Sequence, residues 1–169
     1  MNASISIQAA ADFLRDHDGY LILTHLRPDG DTVGCAAGLC RALRQLGKTA
    51  YILPNHQASS LFTPYFQGLL AGDDFVPDTV VSVDIAARGL FPDNAREYLT
   101  RVDLAIDHHP SQEFFAARTC LDAGRAACGE LMYDILRLLG PVTADIATPL
   151  YVAVSTDCGC FVYGNTTAA

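Results

Sequence analysis

Apolar residues follow two rhythms along this chain, short unbroken runs and helical stripes, and the two alternate. Ile5 to Asp16 carries Ile7, Ala10, Ala11, Phe13 and Leu14 on one face, which predicts an amphipathic helix ending near Asp18-Gly19. Tyr20-Leu21-Ile22-Leu23-Thr24 is the short apolar run of a buried strand. From Asp31 to Leu46 the positions Val33, Ala36, Ala37, Leu39, Cys40, Leu43 and Leu46 return at helical spacing, and Gly47 stops that helix. Thr49 to Leu53 predicts a second strand, closed by Pro54, and residues 56 to 70 read as helical pieces interrupted by Pro64. A β-branched strand, Thr79-Val80-Val81-Ser82-Val83, runs into Asp84. Pro92 to Leu99 predicts a short helix with proline in its first turn. Val102 to Ile106 is a further strand that leads into Asp107-His108-His109-Pro110, and Phe114 to Leu121 suits a short edge strand. Gly124 to Leu139 is periodic through Ala127, Leu131, Ile135 and Leu138 and ends at Gly140-Pro141. A last helix starts at Thr143 or Ala144 and reaches about Val154, and Thr156-Asp157-Cys158-Gly159 breaks it.

Strands that alternate with helices imply right-handed crossovers, hence a doubly wound, mainly parallel α/β sheet flanked by helices. The 169 residues fit one domain, and a hydrophobic fraction of 50% favours a folded core over disorder. A net charge of −8 argues against a basic surface for polyanions. It leaves open a phosphate-bearing substrate, because bound divalent cations reverse the local charge. The first residues lack a basic stretch before an apolar one, and no run reaches the length of a membrane span, so the expectation is a cytoplasmic protein with no membrane partner. The six cysteines then read as reduced thiols, several of them small core residues. Cys158-Gly159-Cys160 lacks the second cysteine pair that a zinc site would need.

Candidate chemistry concentrates in one loop and two strand ends. His25, Asp29 and Asp31 lie within seven residues, in a loop turned by Pro28 and Gly30. Two readings fit the loop: a divalent cation that offsets the carboxylate repulsion, or a polar turn with Asp31 as helix N-cap. Position favours the cation. Asp84 ends another strand, and Asp107, His108 and His109 end a third, while ligands of an open parallel sheet sit beyond the carboxyl ends of its strands. A carboxylate able to bridge, here Asp84, suits two ions about 3.5–4 Å apart.

His25-Leu26-Arg27-Pro28-Asp29-Gly30-Asp31-Thr32-Val33-Gly34, then Ser82-Val83-Asp84, then Asp107-His108-His109, then Thr156-Asp157-Cys158-Gly159-Cys160-Phe161 resemble the four ordered motifs of the DHH phosphoesterase superfamily. That superfamily holds RecJ-like exonucleases, nano-RNA and phosphoadenosine-phosphate phosphatases, cyclic-dinucleotide phosphodiesterases and manganese pyrophosphatases. The resemblance implies two manganese ions, with Mg2+ or Co2+ as substitutes. It gives His25 and Asp29 to the first ion, Asp31, His108 and Asp157 to the second, and Asp84 to both. It also implies His109 facing the substrate phosphate, Asp107 orienting a neighbouring imidazole, and Arg88 reaching a phosphate oxygen. Arg27, Cys35, Cys158 and Cys160 depart from the usual residues without removing a ligand. Arg88 reads equally well as a solvated arginine at a helix start, Arg27 and Arg125 read more readily as surface charges than as phosphate contacts, Glu130 as a surface or capping charge, His17 and His56 as surface residues, and Tyr51, Phe62, Phe66 and Phe75 as core.

The implied activity is two-metal hydrolysis of phosphate esters in short nucleotides. The alternatives are a pyrophosphate or polyphosphate hydrolase, and a non-catalytic metal- or nucleotide-binding module. Residues 1–163 would form the catalytic domain and 164–169 the start of a linker, with the second, substrate-binding domain of such proteins outside this chain and a homodimer compatible with the reading.

Overall fold

The computed structural model describes residues 3–167, a six-stranded parallel sheet with four α-helices packed on one face. In chain order the elements are β1 (Ala3–Ser4), α1 (Ile7–Asp16), β2 (Tyr20–Leu23), α2 (Gly30–Gln45) and β3 (Ala50–Ile52). β4 (Thr79–Val83), β5 (Leu104–Asp107), β6 (Arg118–Leu121), α3 (Cys128–Leu139) and α4 (Ala144–Asp157) follow. The strand order is β1-β6-β5-β4-β2-β3, and every pair is parallel. No helix among the described residues is long and apolar enough to cross a membrane.

That order reverses between β2 and β4. From β2 the chain steps one way to β3, whereas β4, β5 and β6 step the other way, so right-handed crossovers put the two sets of connections on opposite faces. α2 covers the first face together with α1, α3 and α4. The β4–β5 connection covers the second with Phe91, Ala95 and Val102, joined by Phe115 from beyond β5, and Phe91 meets Phe115 edge to face at 5.0 Å between ring centres. This connection holds only 3-10 turns, Arg88–Leu90 and Asp93–Tyr98, where the sequence predicted a short helix at 92–99. Residues 56–70 likewise yield a single 3-10 turn, Thr63–Phe66.

Other boundaries moved for identifiable reasons. Ala3 and Ser4 pair with Arg118 and Thr119, so β1 is the edge and β6, expected there, is covered. Helix α1 begins at Ile7, with the Ser6 hydroxyl accepting from the Ala9 amide. Helix α3 begins only at Cys128, and Leu46 and Leu138, counted on the apolar faces, stand exposed. At the start of α2 the N-cap is Asp29, which accepts from the amides of Asp31 and Thr32, and not Asp31. Helix α4 tolerates Pro149 in its interior. The carbonyl of Asp145, four residues back, loses its helical donor and accepts from Arg41 Nη1 at 2.8 Å instead.

Gly30, Gly34 and Gly38 recur at four-residue spacing on the α2 face that meets α4. A Cβ at Gly30 would collide with Thr156, one at Gly34 with the Pro149 carbonyl, and one at Gly38 would press on Leu150. Without side chains there, α4 lies close along α2, and its last residue, Asp157, arrives beside the strand ends. Thr32 Oγ1 donates to the Val83 carbonyl at 2.9 Å, fixing the start of α2 against the end of β4. We expect Gly34→Ala to destabilise the protein by at least ~1–3 kcal/mol in urea unfolding, because the obstructing atom is backbone. Gly72→Ala, with nothing within 4 Å of the added carbon, should change stability by no more than about 0.5 kcal/mol.

Candidate metal centre

The reversal of strand order opens a crevice at the carboxyl ends of β2, β4 and β5, and the chain sends its acidic and imidazole groups there. His25 and Asp29 come from the β2–α2 loop and Asp31 from the first turn of α2. Asp84 follows β4, Asp107 ends β5, His108 and His109 come next, and Asp157 ends α4. Ligand atoms of His25, Asp29 and Asp84 lie within 4.8 Å of one another. The same holds for Asp31, His108 and Asp157, and for Asp84, His108 and His109. Asp84 thus belongs to two sets, as does His108.

Both inner histidines have a defined free nitrogen. His25 Nδ1 lies 2.9 Å from the Leu26 carbonyl and His108 Nδ1 lies 3.1 Å from the Arg125 carbonyl. Each Nδ1–H must therefore donate, which leaves the Nε2 lone pair for the crevice. His25 Nε2 is 3.4 Å from Asp29 Oδ1 and 3.7 Å from Asp84 Oδ2. His108 Nε2 is 3.4 Å from Asp157 Oδ2, 3.6 Å from Asp84 Oδ1 and 3.8 Å from Asp31 Oδ2. Asp84 Oδ1 and His108 Nε2 are buried without any hydrogen-bond partner. Lone pairs facing lone pairs in a buried site are unfavourable, and a cation among them turns that repulsion into coordination. The donor set, carboxylate oxygen with imidazole nitrogen, suits a divalent ion of the manganese or magnesium type.

The carboxylates are not equivalent. Asp31 is fully buried, with Oδ2 accepting from the Cys128 amide at 2.6 Å and Oδ1 from Gly129 at 2.9 Å, so it caps the start of α3. Cys35 Sγ also donates to its Oδ1 at 3.3 Å. Burial, with Asp157 adding to it, pushes the Asp31 carboxyl up to about 6. Burial also holds Asp84 well above the usual carboxylate range, helped by Asp31, Asp29 and Asp107, and raises Asp157. At Asp29 burial pulls upward but the His25 imidazole outweighs it, leaving that carboxyl below its ordinary value. Asp84 also takes φ +58°, a left-handed conformation that costs a non-glycine residue about 1–3 kcal/mol.

Asp107 faces away from coordination. Its Oδ1 accepts from the amides of His108 and His109 and from His109 Nδ1 at 2.8 Å, while Oδ2 accepts from Gln112 Nε2 at 2.6 Å. The hydrogen bond to Asp107 raises the pKa of His109, which is half-exposed on a cavity of about 440 Å³ lined also by His25, Arg27, Asp29, Asp84 and Asp157. Arg88 is held by Glu113, at 3.4 Å from Nη1. Arg125 pairs with Asp122 and Asp134, and its carbonyl serves His108. His17 and His56 are exposed, Phe66 is buried, Phe62 and Phe75 pack against the cores, Tyr51 is half-buried between Phe75 and the Arg44 guanidinium, and every cysteine but Cys160 is buried. Sequence reasoning missed Gln112 and the α3 amides on Asp31. Neither leaves a signal, because both depend on segments that meet only in the fold.

The profile of the DHH family, N-terminal domain, matches residues 20–154. The chain belongs to the DHH family. A relative named bifunctional oligoribonuclease and PAP phosphatase NrnA, from Thermus thermophilus, is 33% identical to this DHH domain over 165 residues. That match covers 95% of this chain and 50% of the relative. A protein of the same name from Bacillus subtilis is 26% identical over 161 residues, covering 89% of this chain and 50% of its own. The DHH domain thus spans about half the length of the curated relatives it matches. An exopolyphosphatase-related protein from Bacteroides fragilis superposes with a TM-score of 0.81 at 22% identity, over 95% of this chain and 53% of that one, and so shares the fold.

The raised carboxyls set the response to pH. Asp31 and Asp84 bind protons more readily folded than unfolded, so the metal-free domain loses stability as pH rises from about 4 towards 6. His25 and His109, both raised, act in the same sense, since their contribution is complete below their ordinary value and lost above the folded one. EDTA-treated protein should therefore melt at a lower temperature near pH 8 than near pH 5, and manganese should restore more at the higher pH. Thermal melting at both pH values, with and without manganese, checks this.

Proposed function

We propose that this domain is a metal-dependent phosphoesterase that hydrolyses phosphate esters of short nucleotides (nano-RNA, phosphoadenosine phosphate or linear dinucleotides). The observation that carries the reading is the Asp84 carboxylate between two ligand sets, with Oδ2 3.7 Å from His25 Nε2, Oδ1 3.6 Å from His108 Nε2, and the buried Oδ1 without a protein donor. His25, Asp29 and Asp84 would hold one cation, and Asp31, His108 and Asp157 a second, which Asp84 Oδ1, 3.6 Å from His108 Nε2, would also reach. Two divalent cations so held would supply a water acidified to hydroxide near neutral pH and would neutralise phosphoryl oxygens. Manganese is our assignment, because the two imidazoles tilt a carboxylate site away from magnesium.

The protein's own groups have separate tasks. Asp107 fixes the His109 ring through Nδ1–H, which leaves Nε2 for the substrate. Protonated His109 offers Nε2–H to a phosphoryl oxygen or to the departing alkoxide. Arg88 turns from Glu113 to a substrate phosphate at small cost, since an exposed ion pair contributes about 0–1 kcal/mol. The nucleotide class rests on the names of the relatives, which are oligoribonucleases and PAP phosphatases. Because those relatives are about twice as long, we assign the grip on the far end of the nucleotide to a second lobe of the kind such length allows; the linker expected at 164–169 lies partly outside the described residues, and Asn165 is tied to the domain through the Ala126 and Asp157 carbonyls.

The test is manganese-dependent release of mononucleotide from a dinucleotide, run beside phosphoadenosine phosphate and pyrophosphate. Preference for the nucleotides is expected. Preference for pyrophosphate would replace the reading with a pyrophosphatase, and metal binding without turnover of any of the three would make the domain a binding module. Asp84→Ala should lower turnover at least about a hundredfold and weaken manganese binding measured by calorimetry. His109→Ala should retain manganese while turnover drops about 10²–10⁴-fold.

A further inference from the structure

Gln112 is nine-tenths buried, with both amide N–H groups and its carbonyl oxygen hydrogen-bonded. Its Nε2 donates to Asp107 Oδ2 at 2.6 Å and to the Ile85 carbonyl at 2.8 Å, and its Oε1 accepts from the Phe114 amide at 3.1 Å. The amide has one orientation only. Flipped, it would set oxygen against two acceptors and an NH₂ against a donor. One side chain thereby joins the end of β5, the turn after β4 and its own loop. Ile85 follows Asp84, the residue in left-handed conformation, and that turn is held independently by the Asp84 amide on the Ile106 carbonyl and the Glu113 amide on the Ala86 carbonyl, both at 2.9 Å.

We infer that Gln112 is a positioning residue for the phosphoesterase reaction, acting through Asp107 on the His109 ring. Asp107 takes three donors on Oδ1 and a single one, from Gln112, on Oδ2. That lone donor sets the rotation of the carboxylate and so the direction of the bond to His109 Nδ1. A neutral amide is the suitable group. A carboxylate at 112 could donate to neither acceptor and would add a like charge beside buried Asp107. None of the Gln112 hydrogen bonds goes to a proposed metal ligand, so its removal should leave the ligand sets in place while the His109 ring loses its single tautomer.

The inference rests on the proposed activity for its kinetic arm only. Gln112→Glu and the nearly isosteric Gln112→Met are compared with the unaltered protein, metal-free, by ¹⁵N NMR of the histidine rings at fixed alkaline pH. The expected result is a His109 held as the Nδ1–H tautomer in the parent and a mixture in either variant, with His25 and His108 unchanged. In turnover of a dinucleotide, kcat should fall about 10–100-fold with KM and manganese affinity little altered. A folded variant that keeps the parental His109 tautomer and kcat overturns the inference. So does a variant whose only change is a lower melting temperature. If the parent hydrolyses nothing while the tautomer shift appears, the positioning role stands and the proposed function fails.

Discussion

Like charges gathered out of water are the constraint under which this fold is built. Asp29, Asp31, Asp84 and Asp157 converge on two imidazole nitrogens at the strand ends, and two of these carboxylates are almost wholly buried. Backbone dipoles offset part of the repulsion. Asp29 is met by the first amides of α2, and Asp31 by the first amides of α3. Asp107, in the neighbouring layer, is saturated by four donors. Among the carboxylates of the described residues, only Asp84 has a fully buried oxygen without a hydrogen-bond donor, and it sits in a strained backbone conformation. A bound cation, or in its absence a proton on the raised Asp84 carboxyl, relieves that arrangement.

Packing serves the same end. Glycines on α2 allow α4 to lie close, and this is what carries Asp157 to a crevice otherwise formed by strand ends and the start of α2. Arg41 completes the contact by bonding the carbonyl that Pro149 frees, so an apparent flaw in α4 becomes a point of attachment to α2. The short, β-branched strands and the nearly all-buried α2 form the rigid floor on which these groups are held.

Much of this was legible in the residue order. Apolar runs of four or five residues that end on Asp84 or Asp107, with His25 just past another, announce a parallel sheet whose chemistry lies at one edge. The α2 stripe was legible for the same reason, since its period matches a helix buried along its length. What escaped depends on partners distant in sequence. Ala3 and Ser4 carry no strand signal and pair only because β6 offers them an open edge. The stretch before Cys128 looks helical, yet α3 starts where Asp31 supplies its cap. The N-cap of α2 fell to Asp29, because Asp31 was already committed across the core.

The cap on α3 has a kinetic consequence. Its donors and acceptor lie 97 and 98 residues apart, so the first turn of α3 gains its stabilising carboxylate only after the two halves of the domain have met. Such distant closure belongs late on the folding route, after β2, α2 and β3 have assembled locally. A ribosome-bound chain that has exposed β2 and α2 alone would hold Asp31 facing water, and the crevice would come into being as one of the last acts of folding.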